Sequence, residues 1–449
     1  MEGDRPRTWS TKPDPMAKSL TSPRETLGNS GAQEAPQAGR QAPSGVPRHL
    51  LSLQNGDKRA GMHVITTTSE LAAACARLGA HPYVAVDTEF LREDTYWPKL
   101  CLVQLAGPED AMIVDPLAKG IDLAPLYGLM ANTAVVKVFH AGRQDIEIFH
   151  AQADIIPQPM FDTQVAAMVC GFGESVSYGN LVKRIVDVDV DKSSRFTDWS
   201  RRPLSPAQLT YALGDVTHLR DVYHHLSADL AASERHGWLQ EEMAVLTDPR
   251  TYRVQPEDAW RRLKLRVKNR KALAVLVELA GWRETQAQSQ DVPRARVLRD
   301  EALYDIANRM PTEVGQLGEL RTLSDGFARS SRAKDIVLAV RRALERDPKT
   351  LPPLPRNAPL SAEAGALVDL LRVLLKSAAA RHRVAPKLIA DTEDLEIIAT
   401  EADPDLAALK GWRLELFGAD ALRLKRGEIA LATKNGEVVP VLLRDFAKV

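Results

Sequence analysis

The chain has 449 residues, 44% hydrophobic and 26% charged, with 59 basic side chains against 59 acidic ones. That length exceeds one ordinary core and predicts two to four globular domains, and no run approaches the ~18 apolar residues of a membrane-spanning helix. Three cysteines (Cys75, Cys101 and Cys170), none in a CxxC spacing, argue against a structural zinc site or a disulfide framework and fit a reducing, cytoplasmic compartment.

The neutral total hides an asymmetry. Residues 62–250 carry 15 Lys and Arg against 25 Asp and Glu, a balance of −10; residues 251–350 carry 21 against 14, or +7; residues 351–449 carry 14 of each. A phosphate polymer is repelled by the first stretch unless cations sit there, and attracted by the second.

In chain order, residues 1–61 hold seven prolines and much Ser, Gly, Gln and Arg without periodicity. Such a composition cannot bury a core and predicts a disordered N-terminal extension; no apolar secretory stretch is present. Met62, where regular patterning begins, is the expected natural start. From there β-rich runs are predicted at His63–Thr66, Tyr83–Phe90, Leu100–Ala106, Ala111–Val114 and Val135–Phe139. Helices are predicted at Ser69–Leu78 (with Ser69 as N-cap), Arg143–Ala151, Asp162–Cys170, Asn180–Val186 and Pro206–Leu226. The three runs between 83 and 114 suggest an antiparallel meander, the later strand joining through a helix: an α/β domain with a mixed sheet. Past residue 250 helical patterns dominate, with a proline-rich break at Asp347–Pro359. DEALYDIA (Asp300–Ala307) and TEDLEIIA (Thr392–Ala399) match at four of eight positions, which suggests two copies of a small helical module.

The chemistry concentrates on carboxylates. Asp87-Thr88-Glu89 lies inside the apolar run Tyr83–Phe90, and positions i and i+2 of a strand face the same side. A lone pair of this kind is more often a solvated strand face. Asp145 opens the helix after Val135–Phe139, and Asp215 follows Tyr211 by four residues, on the same helix face. Four acids and a tyrosine suit phosphodiester hydrolysis. Hard cations such as Mg²⁺ or Mn²⁺ take oxygen ligands, two of them can activate water and offset phosphate charge, and a phenol can orient the water.

Asp87, Glu89, Asp145, Tyr211 and Asp215 match the pattern of the DEDD exonucleases of the tyrosine subclass. The strings AVDTEFLREDTYWPKLCLVQLA (85–106), HAGRQDIEIF (140–149), FDTQVAA (161–167) and DWSRRPLSPAQLTYALGDVTHL (198–219) resemble the ribonuclease D family. The resemblance implies an RNase H-like exonuclease domain over residues 62–250 that removes 3′-terminal nucleotides from RNA hydrolytically with two ions, Mg²⁺ or Mn²⁺. It implies that Asp87 bridges both ions and that Glu89 and Asp215 complete the site of the attacking water. Asp145 would support the second ion, and Tyr211 would position the water. Phe90 and Leu91 are candidates to pack against the terminal base, with core packing as the alternative. Arg201 and Arg202 are candidates for phosphate contact, although an exposed arginine pair is more often simply solvated, and His140 is expected to shape the turn before Asp145.

AWRRLK (259–264), LVELAGWRETQAQ (276–288) and VPRARVLRDEALYDIANRMPTEVGQL (292–317) resemble the HRDC domain, an all-α bundle expected over 251–348. A second, degenerate HRDC-like bundle is expected over 349–449. Leu273, Leu276, Leu279 and Ala280 form a stripe expected to be core. The basic cluster Arg261, Arg262, Lys264, Arg266, Lys268, Arg270 and Lys271 is a candidate for RNA backbone contact, with a solvated helix face as the equal alternative. The expected partner is RNA with a free 3′ end, tRNA precursors among them, acted on by a monomer; DNA cleavage by the same acids and a non-catalytic RNA-binding role are the alternatives.

Overall fold

Tyr83–Leu91 is apolar up to Asp87 and lies fourth in a six-stranded sheet. The computed structural model describes residues 64–443 apart from 265, 325, 348–349 and 351–359; the expected N-terminal extension and much of the proline-rich break lie outside them. The strands are β1 (Val64–Ile65), β2 (Tyr83–Leu91), β3 (Lys99–Ala106), β4 (Ala111–Val114), β5 (Val136–Phe139) and β6 (Met160–Asp162), in spatial order β1-β4-β3-β2-β5-β6. β2, β3 and β4 form the antiparallel meander, whereas β1–β4, β2–β5 and β5–β6 are parallel. The register shifts between Glu89 and Phe90, a bulge that leaves Cys101 between the partners of those two residues. β6 was not foreseen: Asp162 ends a strand instead of opening the helix body.

The helices of this domain are α1 (Thr68–Leu78), α2 (Ala124–Ala131), α3 (Arg143–Ala153), α4 (Thr163–Val169), α5 (Tyr178–Val186), α6 (Pro206–Ala232) and α7 (His236–Leu246). α1 starts one residue before the predicted span, and its cap is Thr67, whose hydroxyl accepts from Glu70 N at 3.3 Å, not Ser69. α6 opens with a Ser205–Gln208 capping box and Pro206 in its first turn. It runs 27 residues, burying Ala212, Val216, Leu219, Val222, Leu226 and Leu230 against β2, β3 and β4. Each fully buried leucine contributes about 1.5–3 kcal/mol, so this stripe fixes α6 across the sheet and carries Tyr211 and Asp215 with it.

Beyond residue 250 two stretches share an order of helices. α8 (Arg270–Gln290), α9 (Arg294–Val297) and α10 (Asp300–Arg309) are followed by α11 (Val314–Leu317) and α12 (Ser331–Glu345); α13 (Ala362–His382), α14 (Pro386–Ile389) and α15 (Thr392–Thr400) repeat the first three. Both long helices have 21 residues and end in a left-handed residue, Asp291 (φ 49°) or Arg383 (φ 51°). The next amide reaches back to the same position in each, Val292 N to Ala287 O and Val384 N to Ala379 O, both at 3.1 Å. Leu273, Leu276, Leu279 and Ala280 are buried in the first module's core.

The C-terminal region is not all-α. It ends in a hairpin, β7 (Ile429–Lys434) and β8 (Glu437–Leu442), turned by Asn435 and Gly436, both at positive φ. Asn-Gly is the residue pair such a two-residue turn requires. Among the described residues no helix is long and apolar enough to cross a membrane.

Candidate active site

Alternation along β2 sends Asp87 and Glu89 to one face, level with Gln104 and Leu102 of β3. α6 covers that face, Ala212 packing with Leu102 and Ile113. One turn of α6 separates Tyr211 from Asp215. Ligand oxygens of Asp87, Glu89 and Asp215 all lie within 4.8 Å of one another. The Tyr211 hydroxyl hydrogen-bonds to Asp215, and its ring centroid lies 5.9 Å from that of Trp199.

Asp145 stands apart from that triplet. It occupies the first turn of α3, is 7% exposed, and accepts a hydrogen bond from Thr88, the residue between the two β2 acids. The β5–α3 turn that places it is tight: Ala141 has φ 56°, and a Cβ on Gly142 would fall 2.5 Å from the Phe139 Cβ. The buried Asp162 carboxylate holds this turn, accepting from Ala141 N (3.1 Å) and Gly142 N (2.9 Å) while capping α4 through Gln164 N (2.8 Å).

The acids repel one another. Burial, then Asp215, Asp145 and Glu89, raise the Asp87 pKa well above the usual carboxylate range. Burial followed by Asp215 and Asp145 pushes Glu89 to about 9. Asp215 is raised to about 7 and Asp145 to about 6, each chiefly by burial. Burial and the same carboxylates raise the Tyr211 pKa, keeping its hydroxyl protonated. Arg195 is the cation that partly offsets Glu89 and Asp215. Its guanidinium lies 5.3 Å from the ring centroid of Phe196, which is 91% exposed. The all-carboxylate donor set suits hard divalent cations, and the fold assembles more negative charge than its own side chains neutralise.

Other expected residues fare differently. Arg202 has all its donors engaged within the protein: its five N–H groups go to Asp115 (2.7 and 2.6 Å) and to the carbonyls of Trp199, Arg201 and Cys101 (each 2.8 Å). No donor is left for phosphate, so its task is to clamp the loop before α6 onto β3. Arg201 remains exposed beside Asp198 at 3.1 Å. Leu91 packs against the cluster of Cys101, Leu102 and Trp199, while Phe90 is half-buried beyond the bulge. His140 hydrogen-bonds Thr163 at 3.0 Å. Arg261 is exposed and pairs with Asp258 at 2.7 Å, a surface contact worth little that phosphate can replace; Lys264 is exposed. The charge of Arg262 is felt among Arg294, Glu284, Tyr96 and Glu147, and burial lowers its pKa. The residue itself remains exposed at the surface, as do Arg266, Lys268, Arg270 and Lys271. Thr88, Asp162 and Arg195 escaped sequence reasoning; Thr88 alone had a signal, its place between two acids.

Relatives agree with this geometry. A 3′-5′ exonuclease family model matches residues 62–231 and an HRDC domain model residues 272–340. Ribonuclease D of Nitrobacter hamburgensis is 56% identical over 382 residues, covering 85% of this chain and 99% of its own. The chain belongs to the ribonuclease D family. Ribonuclease D of Jannaschia sp. is 53% identical over 380 residues, 84% of this chain and 98% of its own. The crystal structure of Escherichia coli RNase D, described as an exoribonuclease involved in structured RNA processing, superimposes with a TM-score of 0.70 at 30% identity. The match spans 81% of this chain and 98% of that one. As a ribonuclease D, this chain is a 3′–5′ exoribonuclease, its mixed six-stranded exonuclease domain followed by a helical HRDC region.

Proposed function

We propose that Asp87, Glu89, Asp145 and Asp215 hold two divalent ions, Mg²⁺ or Mn²⁺, and that Tyr211 positions the water that attacks the terminal phosphodiester. The observation that carries this reading is the convergence of three carboxylates within 4.8 Å, with a protonated tyrosine hydroxyl on one of them. Bound ions would make a water nucleophilic near neutral pH and offset the charge of the attacked phosphate. Asp87 feels all three other acids and is the carboxylate that would be shared by the bound cations. Glu89 and Asp215 would help hold cations beside Tyr211, and Asp145, steadied by Thr88, would support them directly or through water. With its proton directed at Asp215, the Tyr211 oxygen can accept a hydrogen bond from the incoming water. Tyr211→Phe is therefore expected to lower kcat about 10²-fold with KM nearly unchanged; an equal rise in KM would count against it.

Arg195 adds positive charge at the mouth of this site, and exposed Phe196 offers a face on which a base can stack. Arg195→Ala is expected to reduce kcat/KM about 10- to 100-fold. It also removes the cation that holds Glu89 and Asp215 down, so the acid limb of the pH–rate profile should move to higher pH; Arg195→Lys should restore part of both.

The natural substrates on this reading are tRNA precursors and other small structured RNAs with free 3′ ends, trimmed in the cytoplasm by a monomer. Residues 251–348 would form one HRDC domain and 349–449 a second, HRDC-like one. Arg261, Arg262 and Lys264, exposed in the basic cluster, would be the contacts to the RNA backbone. The test is a time course on 5′-labelled RNA and on matched DNA, with Mg²⁺, Mn²⁺ or EDTA. A metal-dependent ladder of single-nucleotide steps on RNA supports the reading, and none in either metal overturns it.

A further inference from the structure

The loop that leaves the end of β2 and returns as β3 is held by the first helical module. Asp291, the left-handed residue ending α8, accepts hydrogen bonds from the backbone of Tyr96 (3.0 Å) and Trp97 (2.9 Å) through one carboxylate oxygen. The Tyr96 side chain, 5% exposed, enters the module beside Ala287 and Val297. Its hydroxyl donates to Glu284 and accepts from Arg294 (2.9 Å) and Gln288 (3.1 Å). Arg294 grips Glu284 through two bonds of 2.6 Å and stacks over the Tyr96 ring at 4.7 Å. Asp94 pairs with Arg296. On its other side the loop is tied to the helix that bears Asp145: Arg92 makes a two-pronged pair, 2.7 and 2.6 Å, with Glu147 of α3.

Between the β2 acids and this loop lies the Glu89/Phe90 bulge. A bulge interrupts the ladder, and a slip of one residue sends every side chain of a strand to the opposite face. The far end of β2 therefore needs an anchor outside the sheet. We propose that the first helical module is a positioning element of the metal site. Through Asp291, Glu284 and Arg294 it holds the β2–β3 loop, and with it the spacing of Asp87 and Glu89 from Asp145. This rests on the assignment of those acids as metal ligands. A module that served only to hold RNA would act on KM; one that holds the ligands acts on kcat and on the metal requirement.

Asp291→Gly and Asp291→Asn in the full chain separate the two. Both residues accept a left-handed backbone, but only asparagine keeps the accepting oxygen. Tyr96→Phe is the second probe, keeping the ring and removing the hydroxyl. With 5′-labelled RNA and titrated Mn²⁺, Asp291→Gly is expected to lower kcat about tenfold and to raise the Mn²⁺ needed for half-maximal rate, with KM steady. Tyr96→Phe should move both in the same direction, and Asp291→Asn should match wild type. A rise in KM at unchanged kcat, no change in any parameter, or equal loss in the asparagine variant overturns the proposal. Asp87→Asn in the same assay tests the ligands separately: activity surviving there defeats the assignment itself, whereas its loss with an inert Asp291→Gly defeats only the positioning role.

Discussion

Asp87→Asn is expected to lower the rate of 3′-end removal at least ~10³-fold and, in EDTA, to raise the melting temperature of the protein. The two effects have one cause. Asp87 faces Asp215, Asp145 and Glu89 at once, so it is the carboxylate most needed by cations and most costly without them. In the metal-free fold Asp145, Asp215 and Glu89 keep their protons up to about 6, 7 and 9, whereas ordinary values are 3.8 for Asp and 4.5 for Glu. Between about pH 4 and 9 these three carboxylates thus hold more protons in the folded chain than in the unfolded one, and their contribution to stability declines as pH rises. Divalent ions reverse that balance by binding the ionised form, so they should raise the wild-type melting temperature more at pH 8 than at pH 6. Asparagine removes the central charge: the EDTA melting curve should flatten against pH and the metal-induced rise should largely vanish. Thermal melts over a pH series with EDTA, Mg²⁺ and Mn²⁺ measure this directly. A wild type indifferent to both metals, or a variant that still produces the ladder, would sink the four-acid assignment.

The parts of the site legible in sequence were those whose geometry is local. Asp87 and Glu89 share a strand face because side chains alternate, and Tyr211 and Asp215 share a helix face because they stand one turn apart. That these two pairs meet required the resemblance, since no short-range pattern brings residues 87 and 215 together. Asp162 was invisible for the same reason: it serves as the acceptor for amides some 20 positions earlier. Arg202 misled because a Pro-flanked arginine pair looks the same whether its donors meet phosphate or, as here, Asp115 and three carbonyls. The β7–β8 hairpin had a local signal, Asn435-Gly436 between two short apolar runs, which the surrounding helical pattern outweighed. In the fold, the meander and α6 followed from periodicity; β6, only three residues long, is too short to show any.

Arg413→Ala carries the largest expected loss of stability. The C-terminal module meets α7 through a stack of Trp412 on Trp238, 4.3 Å between centroids and 10° between planes. Arg413, 5% exposed, reaches past it to Glu242, to Glu241 at 2.6 Å and to the Leu388 carbonyl at 2.8 Å. Nearby, Arg235 donates to the carbonyls of Val169 (3.0 Å) and His382 (2.6 Å), and Ala385 N to Met168 O at 2.9 Å. Glu242 is 2% exposed, so alanine at 413 leaves its carboxylate buried without that cation, a loss of about 3–5 kcal/mol. Lysine cannot reproduce the three-way fork and should rescue little. Arg413→Met together with Glu242→Gln removes both charges and should recover most of the loss. Urea unfolding of the full chain, followed by tryptophan fluorescence, should show the stacked pair separating in an early transition of its own. A single transition shifted by less than ~1 kcal/mol would mean that the aromatic stack, not the ion pair, holds this module. Because Arg413 lies outside the carboxylate site, cleavage of short single-stranded RNA should survive the substitution under native conditions. The two helical modules then differ in kind: the first is joined to the exonuclease domain through the loop at the end of β2, the second through α4 and α7.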